Sequence, residues 1–407
     1  MMNAYFDAMV AGLEAKLARE PHRPRHRRLL ALAMARLGQR LYQGREPVAW
    51  CGVLAPFDLL SAFGVTSCFV EFVGAMLSAT GGVGPLLDVA GAAGFTPDAC
   101  GYHRAVQGAL RQGTMPAPDL LVATTSPCSS GVATLEVLAR QFDRELFVLH
   151  IPLDEDPASV RFVTEQLRTL ATHVTRVTGR ELDEAVLRQV ILRGNTMREL
   201  LLEVYALAAR KPSPVRGEDL KNFGIVTSLL FGTDEGIAVV QAFRDELAAR
   251  VERGEAGVPE ASARLLWLQN RIQFKNDLVE RIEHEGAAAV VVDELNDVTW
   301  PAIDPDRPFE GLARRCIALP LNGRVERRIA HLQDLAQRYQ VDGAINPCHF
   351  GCRQGTGARG LVTQGLRDVG VPVLNLEVDC VDDRNFAAGP LRTRIEAFLE
   401  TLGGGAT

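Results

Sequence analysis

What most limits this chain is a rhythm that appears, stops and returns. "WCGVLAP", "TSCFVEFVG", "LLVATTS" and "LFVLHIP" are short apolar runs that end near Pro, Ser or Gly. Helical patterns such as "PLLDVAGAAG" and "VATLEVLARQF" lie between them. Strand–helix alternation of this kind requires a parallel sheet with helices on both faces. From about residue 157 the rhythm gives way to long helical patterns, "RFVTEQLRTLATHVTRVTG", "ELDEAVLRQVILRGNTMRELLLEVYALAARKP" and "ASARLLWLQNRIQFKNDLVERIEHEG". It resumes at "AAAVVVDELN", "RCIALPLNG", "VDGAIN" and "VPVLNLEVD", each read as a strand. The expected architecture is α/β: two doubly wound parallel-sheet domains with N-terminal and middle helical regions. The boundaries read as a helical region over 1–45, a first α/β domain over 46–156, a helical subdomain over 157–285 and a second α/β domain over 286–407.

A length of 407 residues supports two or three such cores. The net charge of −6 gives no global attraction to nucleic acid or an anionic membrane. No apolar run reaches the roughly 18–20 residues of a membrane span, and the first twenty residues have helical spacing rather than the layout of a signal peptide. The basic cluster from His22 to Arg28 reads as a solvated helix start. Eight cysteines dispersed over a long chain are unlike a disulfide scaffold. A reducing, cytoplasmic setting is therefore expected.

Three of those cysteines share a context. Cys100 in "TPDACGYHRAVQG", Cys128 in "VATTSPCSSG" and Cys352 in "NPCHFGCRQGTG" each immediately precede a helical pattern, with glycine close by. Backbone amides at a helix start favour a thiolate, so reactive or metal-bound sulfur is a better account of the set than packing. Structural zinc takes four N/S ligands, often in C-x2-C pairs, and no such pair is present. Three thiolates from distant loops suit an iron–sulfur cubane with one iron left open. Cys348 and Cys352 are spaced C-x3-C at what reads as a strand-to-helix turn after Gly343-Ala344-Ile345. Cys51, Cys68, Cys316 and Cys380 fall within or beside strand-like runs and read as packing residues. Neither a Walker A sequence nor G-x-G-x-x-G occurs, so ATP hydrolysis and dinucleotide binding by those devices are not expected. "GTGARG" is either a phosphate cradle or a tight helix entry.

Taken together, these loops resemble the benzoyl-CoA reductase / 2-hydroxyacyl-CoA dehydratase family, from about Trp50 to the C-terminus. "APFDLLSAFGV" is similar to its entry segment, with Asp58 where Glu is usual. "CGYHRAVQGAL", "MPAPDLLVATTSPCSSG" and "HFGCRQGTGARGLV" are similar to its three cysteine loops, in wording nearer the benzoyl-CoA reductase branch. "GVPVLNLEVDCVDDRNFAAGPLRTRIEAFLETL" is similar to its closing segment, with Pro390 where Gln is common.

The resemblance implies two flavodoxin-like or Rossmann-like domains and a [4Fe–4S] cluster held by Cys100, Cys128 and Cys352. It implies a dimer or a heterodimer with a family paralogue, an acyl-CoA substrate and a separate ATP-dependent iron–sulfur activator. The implied chemistry is one-electron reduction of the thioester to a ketyl radical, followed by loss of a hydroxyl or reduction of a ring. His103, Glu71 and His349 lie in or near matching motifs and are candidates for proton delivery; structural hydrogen bonding is the alternative for each. Two other readings remain open: a non-catalytic electron-transfer or heterodimer partner subunit, and a double-cubane reductase of small molecules.

Overall fold

A computed structural model describes residues 2–20, 23–259, 261–285 and 288–403. The first sheet contains β1 (Val48–Cys51), β2 (Thr66–Phe69), β3 (Leu120–Thr124) and β4 (Leu146–Leu149) in the order β2-β1-β3-β4. The second contains β5 (Ala263–Trp267), β6 (Ala288–Asp293), β7 (Gly343–His349) and β8 (Val373–Val378) in the order β6-β5-β7-β8. All six pairings are parallel. The two orders are the same when strands are counted from the start of each sheet. Each sheet therefore reverses its direction of winding between its first and third strands, and ligands gather outside the carboxyl ends of strands at such a point.

Between the sheets, the long helices form as their sequences dictate. Asp156 caps Pro157–Thr178 and Asp183 caps Glu184–Ala208, each carboxylate accepting two backbone N–H bonds. Val160, Val163, Leu167, Leu170 and Val174 form the buried stripe of the first of these helices. The N-terminal helices Met2–Arg19 and His26–Gln43 pack against each other, and the second also packs on Asp234–Glu252. There the basic cluster departs from expectation. His26 is 1% exposed, stacks on Phe243 and pairs with Glu246 at 2.6 Å, so part of the cluster anchors the helix instead of being solvated. His22 lies outside the described residues.

Periodicity misleads at two stretches. Ala263–Trp267, within "ASARLLWLQNRI", is a strand, so the second sheet begins inside the span assigned to the helical subdomain. It is buried at all five positions, and a short continuous apolar run does not separate strand from helix. "RCIALPLNG", expected as a strand, contributes instead to the helix Pro308–Ala318 and the turn after it. Leu312, Ala313, Cys316 and Ile317 are buried at helical spacing once the upstream residues are included.

The two sheets are tied together by packing and by charge. Val83, Leu87, Tyr102 and Ala105, from helices between β2 and β3, share a buried cluster with Leu265, Trp267, Ile345 and Leu376 of the second sheet. Across another contact Arg315 clamps Asp58 with two bonds of 2.7 and 2.8 Å. Asp58 is 1% exposed, so removing its partner strands a buried charge. Arg315→Met is expected to lower unfolding free energy by about 3–5 kcal/mol, read from urea midpoints.

A second buried carboxyl sets a pH dependence. Glu283 accepts a bond from the Gly217 N–H at 2.6 Å, and burial pushes its carboxyl up to about 7. A folded-state value above the ordinary 4.5 means that the proton binds the folded form more tightly. The resulting stability is fully present below the unfolded value and is lost as pH rises through about 7. Urea midpoints at pH 5 and pH 8 should therefore differ less in Glu283→Gln than in the wild type.

Candidate functional site

The second sheet opens a crevice by unequal strand length. β5 pairs with β7 only over Gly343–Ile345, whereas β7 pairs with β8 as far as His349. The last residues of β7 thus overhang the end of β5. The turn after β5, Gln269-Asn270-Arg271, and the turn after β7, which leads to Cys352, lie at this end of the sheet. In the first sheet Cys128 follows β3, the strand equivalent to β7. Cys100 enters from the loop between β2 and β3.

These elements meet at one cavity of about 960 Å³, whose wall includes Cys100, Cys128, Cys352, Glu71, His103 and Asn270. Much of the rest of the wall is apolar, with Phe69, Phe72 and Trp300 among the contributors. The three cysteines therefore reach a single site from two sheets, and each occupies the residue immediately before a helix. Backbone N–H groups of the following turn face each sulfur: those of Tyr102 and His103 at Cys100, of Gly131 and Ser130 at Cys128, and of Gly355 at Cys352. Asn270 also donates to the Cys352 sulfur at 3.5 Å.

As free thiols Cys100 and Cys128 are poorly served. Burial, then the charge of Cys352, pushes the Cys100 thiol up; burial also pushes Cys128 up to about 11, with Glu71 and Cys352 adding to it. Sulfur donors that share one cavity and are aimed at by N–H groups suit a cationic group that deprotonates them. Among the described residues no three His, Cys, Asp or Glu side chains could hold a single metal ion. Three sulfur donors are the kind of set that iron–sulfur clusters use, and the chemistry of these residues fits such a group.

The other cysteines separate by location. Cys348 lies within β7, not in the turn after it, because pairing with β8 carries the strand four residues past Ile345. It is 1% exposed, its thiol donates to Asn346 O and Asn375 Oδ1, and it is absent from the cavity wall. Cys68 and Cys316 do reach that wall, but from strand β2 and from a helix interior, at 1% and 3% exposure. Cys51 and Cys380 are fully buried and off the wall.

The three candidate proton carriers have different surroundings. Glu71 and His103 face each other at 3.9 Å, and both line the cavity. Burial pushes the Glu71 carboxyl up to about 7 and the His103 ring down to about 4. Glu71 Oε2 and His103 Nδ1 have no hydrogen-bond partner among the described residues. At neutral pH Glu71 is thus the member of the pair able to exchange a proton. His349 is 0% exposed and is not part of the cavity wall. Its Nδ1 accepts from the Cys380 N–H at 2.9 Å, which leaves the ring hydrogen on Nε2, 3.6 Å from the Cys100 sulfur. That geometry makes it a donor to sulfur. Sequence reasoning misses Asn270, because the strand that presents it has the pattern of a helix.

Comparison with known proteins places the chain in a family. The sequence model of the 2-hydroxyglutaryl-CoA dehydratase D-component family matches residues 53–402. The chain is 23% identical to the (R)-phenyllactyl-CoA dehydratase alpha subunit of Clostridium sporogenes, over 88% of this chain and 90% of that protein. It is 24% identical to one of the benzoyl-CoA reductase subunits of Thauera aromatica, over 76% of this chain and 78% of that one. It is also 24% identical to the (R)-2-hydroxyglutaryl-CoA dehydratase alpha subunit of Acidaminococcus fermentans, over 72% of this chain and 62% of that one. Identities this similar do not place the chain nearer the reductase branch than the dehydratase branch. With a family match over residues 53–402, which takes in Cys100, Cys128, Cys352 and the whole second sheet, the chain belongs to the 2-hydroxyglutaryl-CoA dehydratase D-component family, whose members include 2-hydroxyacyl-CoA dehydratase and benzoyl-CoA reductase subunits.

Proposed function

We propose that this chain is an iron–sulfur subunit of a low-potential CoA-thioester reductase or 2-hydroxyacyl-CoA dehydratase. The observation that carries the reading is the meeting of Cys100, Cys128 and Cys352 on one cavity from three separate helix starts. These residues would hold a [4Fe–4S] cluster. When bound, such a cluster supplies a single electron at low potential to the thioester carbonyl, which is ketyl chemistry.

The chain's own groups bear on that task in three ways. The Asn270 amide and the Gly355 N–H aim positive charge at the Cys352 sulfur, and His349 Nε2–H does the same at Cys100. Hydrogen bonds to cluster sulfurs raise the reduction potential and fix sulfur position. The apolar wall excludes water from the reacting centre. Glu71, in contact range of His103, holds the proton that the reduced acyl group needs at neutral pH. Relatives named as alpha subunits support a heteromeric assembly with a second family chain. The same reading calls for a separate ATP-dependent activator, since this sequence has no Walker A motif of its own.

Anaerobic purification with iron and sulfide analysis tests the assignment. The wild type should carry iron and acid-labile sulfide in equal amounts, and Cys128→Ala should lose most of both. Cys348→Ala should keep them, because that thiol is off the cavity wall. A wild-type protein without iron, or an iron content indifferent to Cys128, would exclude the reading. In a protein that passes, Glu71→Gln is expected to leave iron content unchanged while turnover of the acyl-CoA falls about a hundredfold or more.

A further inference from the structure

One charged side chain in the cavity is only half used. Arg271, in the turn after β5, is 2% exposed and lines the cavity one residue from Asn270. Its Nε donates to Asp293 Oδ2 at 2.7 Å, and its guanidinium lies over the Trp267 ring, 4.6 Å from the centroid. Nη1 and Nη2 are buried and have no hydrogen-bond partner among the described residues. A guanidinium carries four of its five N–H donors on those two nitrogens. Leaving donors of a charged group unmet in the interior is costly, and native structures rarely do so without a ligand or an ordered water.

A second cation shares that wall. Lys221 follows the short helix Gly217–Leu220 and lines the same cavity. Burial holds its ammonium below the ordinary range; Glu218 opposes this and the charge of Arg271 adds to it. Lys221 has neither an ion pair nor a side-chain hydrogen bond among the described residues. The carboxylates nearest in sequence are engaged elsewhere, Glu218 with Arg27 and Asp219 with Arg250 and His26. Neighbouring polar residues of the same wall are hydrogen-bonded to one another. Gln273 donates to the Tyr102 hydroxyl at 3.0 Å and accepts from Asn222 at 2.8 Å, and the Tyr102 hydroxyl donates to the Arg271 carbonyl.

We propose that the free edge of the Arg271 guanidinium and the Lys221 ammonium form an oxyanion-binding subsite in the wall of the cysteine cavity. It takes a carboxylate or phosphate group of the CoA ester that enters. A planar guanidinium edge matches a carboxylate or phosphate bidentately, and a nearby ammonium adds an unpaired positive charge. Two cations, one of them without an internal anionic partner, discriminate an entering group by charge more than by size. This assignment rests on the CoA-thioester reading for the identity of the ligand, though not for the existence of the site.

Calorimetric titration of the full-length, anaerobically purified protein separates the possibilities, with glutaryl-CoA, valeryl-CoA, free CoA and inorganic pyrophosphate as probes. If the subsite takes an acyl carboxylate, the wild type binds glutaryl-CoA about tenfold or more tightly than valeryl-CoA. Lys221→Met and Arg271→Gln then abolish most of that preference and leave valeryl-CoA affinity unchanged. If it takes a CoA phosphate, both variants weaken both esters and free CoA by the same factor, and pyrophosphate competes with all three in the wild type. Arg271→Gln strands Asp293, so Lys221→Met decides the matter should the arginine variant fail to fold. Wild-type affinities retained for every probe in Lys221→Met would overturn the subsite and leave the CoA reading standing. Should no CoA ester bind the wild type, a rise in melting temperature with pyrophosphate or glutarate that is lost in Lys221→Met keeps the subsite and removes the CoA reading. No binding of any kind removes both.

Discussion

The cavity depends on how closely two backbones approach at Gly351. That residue has φ of +74°, and a Cβ built there would stand 2.4 Å from the Cys100 nitrogen. No side chain fits in that space, and a left-handed backbone is itself strained for any residue but glycine. The turn after β7 can therefore press against the loop that carries Cys100, which brings His349 Nε2 to the Cys100 sulfur and sets Cys352 on the same cavity as Cys128. Tyr102, two residues beyond Cys100, meets the His349 ring edge-on with centroids 5.2 Å apart and reaches the Arg271 carbonyl with its hydroxyl. Sulfur, imidazole and guanidinium positions are thus all set from this one contact.

Much of this is legible in the sequence because it rests on local signals. A cysteine just ahead of a helical pattern, with glycine near it, marks a sulfur over backbone N–H groups, and Cys100, Cys128 and Cys352 all carry that mark. The two-sheet architecture follows from apolar runs that end in turn residues. What stays hidden is what strand pairing decides. Cys348 looks equivalent to Cys352 in one dimension, and only the pairing with β8 holds β7 in extended form through His349. Ala263–Trp267 looks helical because a central strand is buried on both faces and loses its alternation. With that strand goes the turn after it, and so both Asn270 and Arg271.

Polar groups in the cavity wall divide into those with internal partners and those without. Asn222 and Gln273 are matched within the protein, as is Arg315 by Asp58, and they order the wall. Glu71 Oε2, His103 Nδ1, His26 Nε2, Gln269 Nε2 and the two terminal nitrogens of Arg271 have no hydrogen-bond partner among the described residues. A folded chain keeps such groups unmatched mainly where something else completes them.

The distribution of the cysteines between the sheets has a thermodynamic corollary. Cys100 and Cys128 belong to the half built on the first sheet, and Cys352 belongs to the half built on the second. Any ligand that engages Cys128 and Cys352 together binds only the arrangement in which the halves are joined. Its free energy of binding is then added in full to the free energy of joining them, by mass action. Occupancy of the cavity and attachment of one half to the other are therefore linked: the factor by which the ligand favours the joined form is the factor by which joining favours the ligand.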